Sequence, residues 1–159
     1  MQPSKSALKE ELVKLLSDEL ATLERAQASA QSGATHEEAK PENDKDTRAL
    51  EQSYLARGQA KRVLELRCDL GEVQAMSIAA HDAGKPIATG ALVVIEEGGR
   101  RQTLLLAPQG GGRTLANGQV QVVTPPSPLG RALLGKRLAD VCEVRVGNRL
   151  RELVVAAVV

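Results

Sequence analysis

The 27 residues from Ser6 to Ser32 contain neither Gly nor Pro, and Leu8, Leu12, Leu15, Leu16, Leu20 and Leu23 recur through them at three- and four-residue steps. That is the 3.6-residue period of an amphipathic helix. Beyond Leu23 the apolar residues shrink to Ala26, Ala28 and Ala30. Small residues let a second helix approach closely but bury little, so the distal part is expected to be thin and weakly stabilised. Gly33 is the expected stop, and Pro41, which has no N–H to donate, is a firm interruption.

A second helix is expected from a cap at Asp44, Asp46 or Thr47, where a side-chain oxygen can accept free backbone N–H groups, to about Leu70. Its apolar stripe is assigned to Leu50, Tyr54, Lys61, Leu64 and Cys68, with Ala49, Ser53, Ala56, Ala60 and Val63 beside it. Gly58, which costs a helix interior about 1 kcal/mol relative to Ala, is read as a point of close helix contact. Two such helices joined by a polar turn make an antiparallel hairpin roughly 40 Å long at 1.5 Å per residue. The turn, His36 to Thr47, reads HEEAKPENDKDT and carries five carboxylates.

The C-terminal half changes period. After the turn-rich HDAGKPIATG, the stretch ALVVIEEGGRRQTLLLAP is two apolar runs around Glu97-Gly98-Gly99-Arg100, a hairpin signal. QGGGR is read as a flexible loop; it lacks the spacing and Lys-Ser/Thr ending of a phosphate-binding loop. GQVQVVTPPSP is a strand closed by prolines. Ser127 followed by Pro128 opens a short helix that ends at Gly135 with Leu133 and Leu134 buried, and CEVRVGNRLRELVVAAVV is two strands around Gly147-Asn148. The chain is therefore expected to be α+β, with a helical hairpin over residues 1–72, its acidic tip near 36–47, and a small antiparallel sheet domain with one short helix over 73–159.

Composition narrows the chemistry. There is no Trp or Phe and a single Tyr, Tyr54, so the core must be aliphatic and no pocket walled by aromatic rings can form. Net charge is +1; residues 1–70 carry 11 basic against 13 acidic groups and residues 71–159 carry 10 against 7, an imbalance too small to name a partner. Cys68 and Cys142 lack the spacing of a zinc site and are read as semi-buried free thiols. No leader-like or membrane-spanning run is present, so the expectation is a cytoplasmic protein with no membrane contact.

The order of long helical hairpin, acidic tip and small sheet domain resembles the Gre-type transcript cleavage factors of bacterial RNA polymerase. Two local matches carry the resemblance. Residues 122–144, VVTPPSPLGRALLGKRLADVCEV, look like that family's strand, Ser-Pro-x-x-Arg-Ala-Leu-x-Gly-Lys helix, Asp-Val and strand, with Ser127, Pro128, Arg131, Ala132, Leu133, Gly135, Lys136, Asp140 and Val141 in place. Glu42-Asn43 stands like the Glu-Asn pair of the family's tip. The resemblance implies a coiled-coil hairpin and a C-terminal domain whose fold is similar to the FKBP isomerases. It also implies a monomeric accessory factor, not itself an enzyme, that works in transcription elongation on the DNA-bound polymerase.

In that family the C-terminal domain docks at the rim of the secondary channel while the hairpin reaches the active site and meets the nascent RNA indirectly. Carried over residue by residue, Glu42, Asp44 and Glu38 would be the tip carboxylates assisting catalysis by the polymerase. Glu42 and Asp44 would share a magnesium ion with it, no cofactor being tightly held by the chain alone. Asn43, Ser127, Pro128, Arg131 and Lys136 would contact the partner. The family tip reads Gly-Asp-x-x-Glu-Asn, and here Ala39 stands in place of the aspartate, with Asp46 where an aromatic residue is frequent. Either Glu38 or Asp44 takes over as second ligand, or the protein regulates by occupying the channel without promoting cleavage.

Bland readings stand beside these. An acidic turn is ordinarily solvated, His36 is ordinarily a surface residue, and Arg57, Lys61 and Arg62 form either an exposed face or a contact with RNA or the channel wall. A prolyl isomerase would need aromatic side chains around the proline ring, and residues 71–159 have none.

Overall fold

The structure is a computed structural model that describes residues 2–38, 46–82 and 84–159; of residues 31–38 and 46 it describes the backbone. Among the described residues three helices, α1 (Lys5–Glu38), α2 (Asp46–Ala75) and α3 (Pro128–Leu133), accompany six strands. The strands are β1 (Leu92–Glu97), β2 (Arg100–Leu106), β3 (Thr114–Leu115), β4 (Val120–Val123), β5 (Val141–Val146) and β6 (Arg149–Val158). The chain divides into two compact units, residues 14–70 and residues 1–13 with 71–159.

In the larger unit the sheet runs β3-β4-β2-β1-β6-β5. All neighbours are antiparallel except β2 and β4, which run parallel with Leu105 beside Val122. Both two-residue hairpins form where the sequence places them. Gly98 and Gly99 have φ of +55° and +80°, the left-handed pair that a twisted hairpin demands and that side chains resist. The QGGGR stretch, expected to be loop throughout, contributes Arg113 to a backbone bond with Val122 and leads directly into β3.

Alternation along the strands gives the sheet two apolar faces. Val93, Ile95, Leu104, Leu106, Leu153 and Val155 belong to one buried cluster with Leu133 of α3. Leu92, Val94, Leu105 and Val122 point the other way and are buried as well. Within this unit the side chains that accompany that second face are Leu8, Leu12, Val73 and Met76, all buried. Gly110 marks how close the approach is, since a Cβ there would lie 2.8 Å from Leu12 Cδ1. Polar groups fix the register of the seam: Glu11 Oε2 accepts from Ala116 N at 2.9 Å, Lys9 Nζ donates to Met76 O at 2.8 Å and Lys5 Nζ to Ala79 O at 2.9 Å. Residue 5 thus meets 79 and residue 9 meets 76, so the start of α1 runs antiparallel to the chain that leaves α2.

The unit of residues 14–70 holds the remainder of α1 and α2. Helix α1 starts one residue earlier than expected, with Ser4 Oγ accepting from Ala7 N at 3.1 Å, and continues through Gly33 to Glu38; α2 likewise passes Gly71 to reach Ala75. A lone glycine costs a helix about 1 kcal/mol and does not end it without capping partners.

The stripe assigned to α2 is overturned. Leu50, Tyr54, Leu64 and Cys68 are exposed, and the buried face is Val63 and Leu66, opposite which Leu16 of α1 is buried. Leu64 sits about 100° from Val63 and 200° from Leu66 around the helix axis, so a stripe drawn through Leu64 leaves Leu66 on another face, although the two side chains are the same size. Gly58 has no atom within 4 Å of where its Cβ would be, so it marks no close contact. Arg62 pairs with Glu19 (3.2 Å) and Arg67 with Glu24 (2.8 Å) across the helices.

The reassigned face predicts a sharp contrast. Leu66, fully buried, should cost about 2–5 kcal/mol when replaced by Ala, whereas Leu64, 59% exposed, should change stability by no more than about 0.5 kcal/mol. Urea denaturation of the two variants, followed by circular dichroism, measures both.

Candidate functional site

The stretch that carried the sequence resemblance, residues 122–144, folds as the end of β4, a capped helix α3, a short return and the start of β5. Ser127 is extended (φ −68°, ψ 154°), its Oγ accepts from Gly130 N at 3.0 Å, and the same hydroxyl donates to Thr124 O at 2.7 Å. One side chain therefore serves two backbone groups at the helix start. Pro128 follows at the first helical position, where its missing N–H leaves nothing unpaired.

Gly130 is the residue that sequence reasoning missed. A Cβ there would lie 2.0 Å from Thr124 O, so only glycine lets the strand end fold back over the helix. The single sequence signal for it is a glycine inside a short helix, which by itself points nowhere.

The far end of α3 is clamped as firmly. Leu134 N donates to Gly130 O, Gly135 turns left-handed at φ +82°, and residues 135–136 bond Ile87 in both directions: Ile87 N to Lys136 O at 2.7 Å and Gly135 N to Ile87 O at 2.9 Å. Asp140 Oδ2 then accepts from Arg137 N at 2.8 Å and directs the chain into β5. The matched residues sort by exposure. Leu133 is in the core, Leu134 is half-buried, and Pro128 and Arg131 face solvent with Lys136 partly exposed beside them.

A hollow of about 510 Å³ lies beside α3, lined by Thr124, Ser127, Leu129, Val144, Val146 and Arg151 among others. Its walls are aliphatic and polar, with no aromatic ring to grip a proline. Arg151 donates Nε to both oxygens of Glu97, at 2.9 and 3.1 Å, and these hydrogen bonds hold the Glu97 carboxyl below the usual carboxylate range. Arg151, in the wall of the hollow, is thus engaged by Glu97, which lies outside it.

Of the acids between the helices, Glu38 is the last residue of α1, its side chain not described, and Glu42, Asn43 and Asp44 lie outside the described residues, as do the side chains of His36, Glu37 and Asp46. Among the described residues no three His, Cys, Asp or Glu side chains come together to hold a metal ion. Arg57, Lys61 and Arg62 are exposed, with Lys61 and Arg62 both reaching Glu65. No helix among the described residues is long and apolar enough to cross a membrane.

The cysteines differ from the semi-buried pair expected. Both are free, Cys68 exposed and Cys142 buried, with burial pushing the Cys142 thiol pKa up.

No protein-family model matches the chain, and no curated protein does. Solved structures are similar over most of its length, among them the following three. The transcription factor Gfh1 is 20% identical, covering 93% of each chain at a TM-score of 0.41. GreA factor homolog 1 of Thermus thermophilus is 19% identical, covering 92% of this chain and 94% of its own at 0.40. A GreA/GreB elongation factor from Nitrosomonas europaea is 13% identical, covering 71% of this chain and 94% of its own at 0.38.

Two measurements follow from the geometry. Ser127→Ala should lower stability by about 1 kcal/mol through the lost cap, and Gly130→Ala by more, about 1–3 kcal/mol, because the strand end must move. In the native protein a thiol reagent should titrate one cysteine, Cys68, and in denaturant two.

Proposed function

We propose that this chain is a bacterial RNA polymerase-binding transcription elongation factor. In this reading the paired helices enter the secondary channel and the carboxylates between them assist cleavage of backtracked RNA. The observation that carries it is the division of labour within residues 122–144. The cap, the buried Leu133 and the clamp at Ile87 account for the motif's folding residues, while Arg131 is exposed and makes no ion pair among the described residues, as a docking residue requires. Pro128 and Lys136 lie on the same short segment, so the docking surface we assign is Pro128, Arg131 and Lys136, presented by the Ser127 cap, with Asn43 contacting the partner from the other unit.

The carboxylates fit an assisting role by their chemistry. Magnesium takes six oxygens in octahedral geometry and is seldom held by one or two protein carboxylates alone. Glu42 and Asp44, with Glu38 as a third candidate, would complete a site that the polymerase largely supplies; the ion, when bound, activates water for phosphodiester hydrolysis. On this reading the chain carries no tightly held cofactor and performs no reaction alone. A second reading has its own observation in Ala39, where the resemblance calls for an aspartate. With one ligand fewer, the chain would occupy the channel and regulate the polymerase without promoting cleavage.

A stalled, backtracked elongation complex separates the readings. Shortening of the RNA 3′ end by the wild-type chain, abolished in Glu42→Ala or Asp44→Ala protein that still binds, is the outcome expected. Binding without shortening favours the regulator, and absence of polymerase binding removes both.

A further inference from the structure

Strand β5 ends the sheet, and its outer side has no neighbouring strand. Its register on β6 fixes which backbone groups face that side. Gly147-Asn148 is a two-residue turn, so the flanking Val146 and Arg149 form a hydrogen-bonded pair; pairs alternate, and Val144 with Arg151 and Cys142 with Leu153 are hydrogen-bonded too. The N–H and C=O groups of Val141, Glu143 and Arg145 therefore point away from β6. Among the described residues no backbone group of another element bonds them.

The side chains of the same three residues stand exposed on the face away from the buried Cys142 and Val144. Neither Glu143 nor Arg145 has an ion pair among the described residues. Worse for the isolated chain, the register sets Glu143 directly opposite Glu152 on β6, a like-charge pair that destabilises a sheet.

We propose that β5 pairs antiparallel with β5 of a second copy of this chain, about a two-fold axis at Val144. Backbone direction restricts the choice of register, because only Val141, Glu143 and Arg145 offer outward groups. Symmetric pairing centred on Glu143 would oppose two glutamates, and centring on Arg145 would oppose two arginines. Centring on Val144 places Glu143 of each copy opposite Arg145 of the other, so both residues exchange backbone hydrogen bonds and both charges gain partners. Arg145 of the second copy then lies next to the Glu143–Glu152 pair and relieves its repulsion. On the other face Val144 meets Val144, and the exposed Val146 covers Cys142. The strand is six residues long, so the contact is small and the association weak and concentration-dependent. This departs from the monomer that the sequence resemblance implies.

Sedimentation velocity on the full chain, from micromolar to near-millimolar protein at low salt, tests it. Wild type should shift from monomer toward dimer with concentration, less so as salt is raised. Glu143→Arg and Arg145→Glu should each weaken association roughly tenfold or more, since each sets like charges opposite one another twice. An equimolar mixture of the two variants should recover it, because the mixed pair again matches opposite charges; both substitutions are at exposed positions, and circular dichroism checks that each variant is folded. A wild type that stays monomeric throughout overturns the proposal. So do single variants that associate as strongly as wild type, or a mixture that recovers nothing.

Discussion

The adjoining segments 92–95 of β1 and 104–106 of β2 are buried on both faces, and the larger unit depends on that. A chain with no Trp or Phe must reach a stable core through many aliphatic side chains, each contributing about 1.5–3 kcal/mol when fully buried. One face alone, Val93, Ile95, Leu104 and Leu106 against α3, uses half of what the central strands offer. The other half, Leu92, Val94 and Leu105, is buried together with Leu8, Leu12, Val73 and Met76. That requirement explains why residues 1–13 belong to the same compact unit as residues 71–159, far away in sequence. A strand buried on both sides reads as a continuous apolar run, which is how ALVVI and LLLA look.

What could be read from sequence follows from how local each cause is. The Gly98-Gly99 and Gly147-Asn148 turns were legible because a glycine between two apolar runs supplies the positive φ that a tight hairpin needs, and the need and its answer lie within two residues. The Ser127-Pro128 helix start was legible because a cap acts within four residues. The inward face of α2 was not. Periodicity locates a helix, but several faces of α2 carry apolar residues of equal size, Leu64 and Leu66 among them, and only the neighbour decides which is inward. The parallel pairing of β2 with β4 and the two-residue β3 are likewise set by distant partners that no short window contains.

The candidate site divides along the same line. Ser127 is fixed by its immediate neighbours and was found; Gly130 matters because of Thr124 O, a contact made by the returning strand, and was not. Both belong to one small knot in which a hydroxyl and a missing Cβ let a carbonyl sit over the first turn of α3. The knot determines how Arg131 and Lys136 are presented, since α3 is too short to be rigid by its own hydrogen bonds. Its ends, Thr124 on one side and Ile87 on the other, provide that rigidity.

The unit of residues 14–70 rests on much less. Its fully buried side chains among the described residues are Leu16, Val63 and Leu66, with Glu19–Arg62 and Glu24–Arg67 as cross-helix ion pairs. Exposed pairs of this kind contribute about 0–1 kcal/mol each, so the three apolar side chains outweigh both together. Leu50, Tyr54 and Leu55, each more than half exposed, add little to this packing. The exposed Leu and Tyr side chains of this helix pair are not explained by the stability of the unit that carries them.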